Sequence, residues 1–385
     1  MAETMVTARR AAEISPFEVM DVLSRAQALE RAGRHVVHME IGEPDFTAPA
    51  PVVEAGVRAL REGRTAYTAT LGLHGLREAI AQHYATKFGA QVPAERVAVT
   101  AGASGGLLTV AALYVDAGDE VLVPDPGYPG YRHFVRAFEG RVRPLAVAAE
   151  HNFQPAHAMV REAWGPRTKA LILGSPSNPT GTLIARRELE QIAQFIAGRG
   201  GVLIVDEIYQ GLTYGAEPWT AVGLPGEVVI VNSFSKYYCM TGWRLGWVVL
   251  PAAAVRGFEK LAQHLFISAP AAAQYAACAA FSEESIRVLE ERRREFACRR
   301  DVLLPALRSA GLAVPAEPHG AFYIYADCGR DAREYCLQLL EREAVAATPG
   351  VDFGANGTAH HVRFAYTRAM ADIEEAARRI RRFTA

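Results

Sequence analysis

Of the 41 lysines and arginines in this chain only four are lysine: Lys87, Lys169, Lys236 and Lys260. A desolvated lysine can release its proton and attack a carbonyl, whereas a guanidinium keeps its charge, so each lysine here is a candidate amine nucleophile. Lys87 lies in an amphipathic stretch beside Gly89, Lys260 beside Glu259, and Lys169 in a turn opened by Pro166; each reads as a surface charge. Lys236 differs. It sits in SFSKYYCMTGWRLG (233–246), between aromatics and hydroxyls, with Arg244 eight residues on. Burial and a cationic neighbour both lower an amine's pKa, which is what Schiff-base chemistry requires.

Other residues in the chain could serve such an amine. Asp206 ends the apolar run Gly201–Val205 and is followed by Glu207 and Tyr209. A carboxylate there is costly without a cation beside it, which could be an arginine or a protonated ring nitrogen of a cofactor. Ala101-Gly102-Ala103-Ser104-Gly105-Gly106 joins a β-branched run to an apolar helix. Small residues at such a turn let backbone N–H groups hold an anion, usually phosphate, or merely permit tight packing. The turn matches neither G-x-G-x-x-G nor a P-loop. In Asp125-Pro-Gly-Tyr-Pro-Gly-Tyr131 the prolines and glycines fix a rigid turn, which either presents Tyr128 to a planar ligand or lies on the surface. Asn178, between Pro176 and Pro179, has a restricted backbone and reads as a held amide or a simple turn.

These residues fall just after short apolar runs: Arg96–Thr100, Glu120–Pro124, Val142–Val147, Lys169–Gly174, Gly201–Asp206, Val228–Asn232 and Leu245–Leu250. Runs of this kind alternating with helical stretches such as Arg186–Ala197 imply an α/β chain whose sheet is covered on both faces. In such sheets ligands bind beyond the carboxyl ends of the strands. A charged helix at Glu283–Arg300, with Arg292, Arg293 and Arg294 on a solvated face, leads into a second, smaller body containing His319-Gly-Ala-Phe-Tyr-Ile-Tyr325. The first 45 or so residues are expected to join it.

Composition sets outer bounds. A length of 385 residues allows a large core, and a net charge of −1 gives no electrostatic reason to expect nucleic acid or an anionic membrane as partner. Five cysteines without a C-x-x-C pair imply free thiols in a reducing compartment, with no disulfide or metal site. The first residues lack the apolar core of a secretory signal, so the expected location is cytoplasmic. Leu261–Phe281 carries no Asp, Glu, Lys or Arg but is broken by Pro270, and reads as two buried helical pieces.

With these residues assembled, the chain resembles the class I/II aminotransferases, pyridoxal phosphate (PLP) enzymes of fold type I, from Ile14-Ser-Pro-Phe17 to Arg363. S-F-S-K followed by M-T-G-W-R-L-G, with N-P-T-G and D-E-I-Y, carries the resemblance. It implies a large domain over residues 48–285, built on a mostly parallel seven-stranded sheet flanked by helices. Residues 1–47 and 286–385 would form a smaller α/β domain. Lys236 would link to the cofactor aldehyde and then carry a proton between the substrate Cα and the cofactor. Asp206 would pair with the ring nitrogen, and Tyr209 and Asn178 with the phenolic oxygen, while Tyr128 stacks on the ring. Ser233, Ser235, Arg244 and the Ala103–Ser104 backbone would hold the phosphate. Tyr67 matches a tyrosine that reaches the neighbouring subunit's phosphate, which implies a homodimer with active sites at the interface. Arg363 would grip the substrate α-carboxylate beside the Gly42 backbone.

What the resemblance implies is transfer of an α-amino group from an L-amino acid to a 2-oxo acid, with 2-oxoglutarate the usual acceptor, by a ping-pong route. Relatives such as C–S lyases use the same constellation for elimination. An aspartate-using branch of the family carries lysine where this chain has Ser104, which argues against a dedicated aspartate enzyme. Phe17, Phe322 and Tyr323 are expected to line a broad, apolar-tolerant side-chain pocket.

Overall fold

In the computed structural model, which describes residues 7–14, 18–217 and 219–384, all seven apolar runs are strands. They are β1 (Val97–Thr100), β2 (Glu120–Asp125), β3 (Arg141–Ala146), β4 (Thr168–Gly174), β5 (Val202–Asp206), β6 (Glu227–Ser233) and β7 (Gly246–Val249). They form one sheet in the order β1-β7-β6-β5-β4-β2-β3. Every pairing is parallel except those of β7, which runs antiparallel to both β1 and β6. The carboxyl ends of the other six therefore share one edge. The reversal of β7 brings Gly246 beside Ser233, so the loop before it returns Arg244 to that edge.

Side chains alternate across this sheet. Leu171, Leu173, Leu203, Val205 and Ile230 enter a core on one face, with the helices His74–Phe88 and Arg186–Ala197. Ala170, Ile172, Ile204, Val229 and Val231 enter a core on the other, against the helices Gly102–Tyr114 and Val255–Leu265. The two-residue period of a strand explains why these sequences read as continuous apolar runs: both faces are covered.

The rest of the chain forms a second sheet, in which β8 (Tyr323–Asp327) and β9 (Thr348–Pro349) pair antiparallel with the central β10 (His361–Ala365). Early and late segments meet in this body: Val37–His38 pairs in parallel with Val345–Ala346. The 261–281 stretch resolves into parts of the helices Val255–Leu265 and Ala271–Cys278, separated at Pro270, and only the second is largely buried, since Leu265 and Ile267 are exposed. No helix of the described residues is long and apolar enough to cross a membrane. All five cysteines are free.

Two sequence expectations need correction. The charged helix runs to Ser309, past Arg300, because Pro305 is accommodated within it. Its arginines are not simply solvated: Arg292 donates to the Thr47 carbonyl, and Arg293 to Glu290 and the Thr213 carbonyl. They tie the helix to the loops around the sheet edge.

Candidate active site

The carboxyl edge of the large sheet and the second body enclose a cavity of about 500 Å³. Its wall carries thirteen of the sixteen residues that the sequence singled out, Tyr323 among them. From the large sheet come Lys236, Asp206, Tyr209, Tyr128, Asn178, Ala103, Ser104, Ser233, Ser235 and Arg244; from the second body come Arg363 and Gly42. Phe17 lies outside the described residues. Tyr67 is off the wall and 80% exposed.

The Lys236 amine donates to the Gly42 carbonyl at 2.7 Å. Burial brings its pKa down to about 8; Arg363 and Arg244 push the same way, and Glu43 opposes them. A pKa of 8 leaves about one-tenth of the amine neutral at pH 7. Lys87 instead pairs with Glu290 at 3.4 Å, and Lys169 and Lys260 are exposed. The lysine at the strand end is the one prepared to react.

Asp206 is buried at the tip of β5 and accepts hydrogen bonds from Tyr131 Oη at 2.8 Å and the Ile208 N–H at 3.0 Å. Burial lifts its carboxyl to about 6, against the pull of those bonds and of Lys236. Among the described residues no arginine pairs with it, and Lys236 is the cation whose charge reaches it. Tyr131 was overlooked at the sequence level. Its signal was the need of a buried carboxylate for donors, met by the second tyrosine of the Asp125–Tyr131 turn.

At one end of the cavity the helix Gly102–Tyr114 presents its N-terminus. No side chain caps it and its first turn holds no acidic residue, so its free N–H groups and positive dipole end suit an anion. Gly102 has φ +72, and a Cβ there would come within 2.8 Å of Arg244 Nη2. Ser233 Oγ donates to Ser235 Oγ at 3.0 Å, and both hydroxyls line the same cavity as Ala103 and Ser104. Bare N–H groups, two hydroxyls and a guanidinium fit a phosphate.

At the other end stands Arg363, buried on β10, donating to Asn178 Oδ1 at 3.0 Å and to the Glu40 carbonyl. Its Nε is buried without a partner among the described residues. Tyr323 lies beneath the guanidinium, whose carbon is 4.5 Å from the ring centroid, and its hydroxyl is 2.8 Å from that of Tyr209. A Cβ on Gly42 would lie 1.8 Å from Tyr323 Oη, so only glycine fits there. Phe322 does not line the cavity; successive residues face opposite ways at the start of β8, and its fully buried ring packs behind the wall against Tyr209 and Phe296. Asp352, Phe353 and Glu40 complete this end and carry no sequence motif.

Residues 34–380 match the family model for aminotransferase class I and II. The chain belongs to this family. It is a PLP-dependent aminotransferase. It is 38% identical to a (5-formylfuran-3-yl)methyl phosphate transaminase of Methanocaldococcus jannaschii, over 97% of this chain and 98% of that one. It is also 38% identical to a valine–pyruvate aminotransferase of Mycobacterium tuberculosis, over 96% of each. The structure of the Thermus thermophilus aspartate aminotransferase with maleate superposes with a TM-score of 0.93 at 34% identity, covering 98% of this chain and all of that one. The transaminase fold and cofactor dependence follow from these matches; the named substrates differ among the relatives.

Proposed function

We propose that the chain moves the α-amino group of an L-amino acid to a 2-oxo acid in two half-reactions through one cavity, the first product leaving before the acceptor enters. The observation that carries this is the placing of a perturbed amine, Lys236, between an uncapped helix N-terminus and a buried arginine. PLP, when bound, supplies an aldehyde for an amine to condense with and a ring that takes up the electrons left at the substrate Cα.

The remaining work belongs to the protein. Ala103 and Ser104 N–H groups, Ser233, Ser235 and Arg244 hold the phosphate, and Tyr128 covers one ring face. Asp206 keeps the ring nitrogen protonated; a nearby cation lowers the carboxyl from about 6 and keeps it ionised at neutral pH. Tyr209 and Asn178 hydrogen-bond the phenolic oxygen. Arg363 aligns the substrate through its α-carboxylate, in the space beside Gly42. Lys236 would take the proton from the substrate Cα and return it to the cofactor's aldehyde carbon. Its lowered pKa leaves about one-tenth of it free to act as a base at pH 7.

The charged residues left on the wall after these roles are Glu40, Glu43 and Asp352, all acidic, alongside apolar Val19, Met20, Ile41 and Phe353. This supports a broad, apolar-tolerant donor pocket. The acceptor assigned is 2-oxoglutarate, on the family resemblance; its second carboxylate would have to find a cation beyond this chain's own wall. The exposure of Tyr67 supports a homodimer in which it reaches the partner's phosphate. We assign residues 48–285 to the cofactor domain, residues 1–47 and 286–385 to the domain that closes on substrate, and the enzyme to the cytoplasm.

Adding single L-amino acids to the cofactor-loaded protein, without a 2-oxo acid, tests this. Bleaching by particular donors, and return of the colour with 2-oxoglutarate or pyruvate, is the expected outcome and names both substrates. A colour that persists while pyruvate and ammonia accumulate would mean elimination instead.

A further inference from the structure

The Tyr209–Tyr323 pair shares a single hydrogen bond at 2.8 Å between two buried hydroxyls, and which oxygen donates decides what Tyr209 can do. Each hydroxyl has one proton. If Tyr209 donates to Tyr323, it has none for the cavity. If Tyr323 donates, the Tyr209 proton is free to point inward.

One contact of Tyr323 selects the second arrangement, and two further features hold that contact in place. The Arg363 guanidinium lies 4.5 Å from the Tyr323 ring centroid, and a cation against a phenol stabilises its phenolate and makes it the stronger donor. Register places them together, for Arg363 pairs with Tyr325 and Ala365 with Tyr323, so Arg363 and Tyr323 are diagonal neighbours on one face. The hydroxyl is also fixed in place: the space a Cβ of Gly42 would need is taken by Tyr323 Oη, and among the described residues that hydroxyl has no other hydrogen-bond partner.

We propose that Tyr323 is a positioning residue that donates its proton to Tyr209, turns the Tyr209 hydroxyl toward the cofactor's phenolic oxygen, and so links the carboxylate clamp Arg363 to the Lys236 linkage. This rests on the cofactor role proposed for Tyr209. A hydrogen bond to the phenolic oxygen draws negative charge away from the proton on Lys236 Nζ, so that proton leaves more easily. Loss of the Tyr323 hydroxyl weakens and frees the Tyr209 donor, and the proton on Nζ is held to higher pH.

The test is a pH titration of the cofactor colour in the loaded enzyme without substrate, for the parent, Tyr323→Phe, Tyr209→Phe and the double variant. Y323F is expected to raise the midpoint by about 0.5–1 pH unit, the size of one modest hydrogen bond. Y209F should raise it further, and the double variant should match Y209F, because Tyr323 acts only through Tyr209. Gly42→Ala, which displaces the Tyr323 hydroxyl without deleting it, should raise the midpoint as well, and serves as an independent route if Y323F folds poorly. A Y323F midpoint equal to the parent's, or shifts that simply add in the double variant, would overturn the proposal. A parent protein that takes up no coloured cofactor would instead overturn the role given to Lys236.

Discussion

The two ends of the cavity are built differently. The phosphate end draws on β1, β6 and the loop into β7, adjacent strands of one sheet, and each contributing residue lies within a few positions of a strand end. The end around Arg363 gathers Glu40, Asn178, Tyr323, Thr348 and Arg363, which meet only because the second body folds against the first. The first is a rigid cradle set by backbone, and the second a junction between two sheets. Cofactor affinity should therefore depend on the one and substrate handling on the other.

The largest effect falls where the two ends meet. Lys236→Ala should slow the half-reaction with an amino acid by at least about 10³-fold, since both nucleophile and base are lost. Single-turnover absorbance would measure this. Arg363→Lys removes the planar fork and should lower kcat/KM for the donor by about 10²- to 10³-fold with cofactor affinity nearly unchanged. An equal loss of cofactor binding would break the separation of the two ends.

Asp206→Asn offers a third test. Burial raises the carboxyl from 3.8 to about 6, so between those values the folded chain keeps a proton that the unfolded chain has released. Its contribution to cofactor-free stability therefore falls as pH rises from about 4 to about 6. The asparagine variant should lack that part of the slope and be more stable near pH 7 by up to about 2–3 kcal/mol when cofactor-free, yet bind cofactor more weakly. Chemical unfolding at a series of pH values would show it.

Two glycines give the smallest and most selective comparison. Gly102→Ala strains a left-handed backbone and crowds Arg244, and should weaken cofactor binding by about 10-fold. Gly42→Ala should raise KM for the donor by a similar factor through its clash with Tyr323 Oη, and leave cofactor affinity close to normal. Cofactor titration and steady-state kinetics on both variants would separate the two ends.

The contrast also explains what the sequence could reveal. The seven strands were readable because both sheet faces are buried, so each strand is a continuous apolar run with its chemistry at the carboxyl end. Asp206 and Lys236 were readable because a carboxylate and a rare lysine stand at such ends. Tyr131 was harder, since its partnership with Asp206 spans 75 residues. Tyr323 and Phe322 could not be sorted from spacing, because the start of β8 decides which one faces the cavity. Glu40 and Asp352 enter the wall through a contact between bodies that leaves no local pattern.

Borohydride reduction of the cofactor-loaded protein, followed by peptide mass analysis, tests the central claim most directly. One pyridoxyl phosphate group per chain on the peptide carrying Lys236, absent in Lys236→Ala, is the expected result. Labelling of Lys87, Lys169 or Lys260 in place of Lys236 would contradict it.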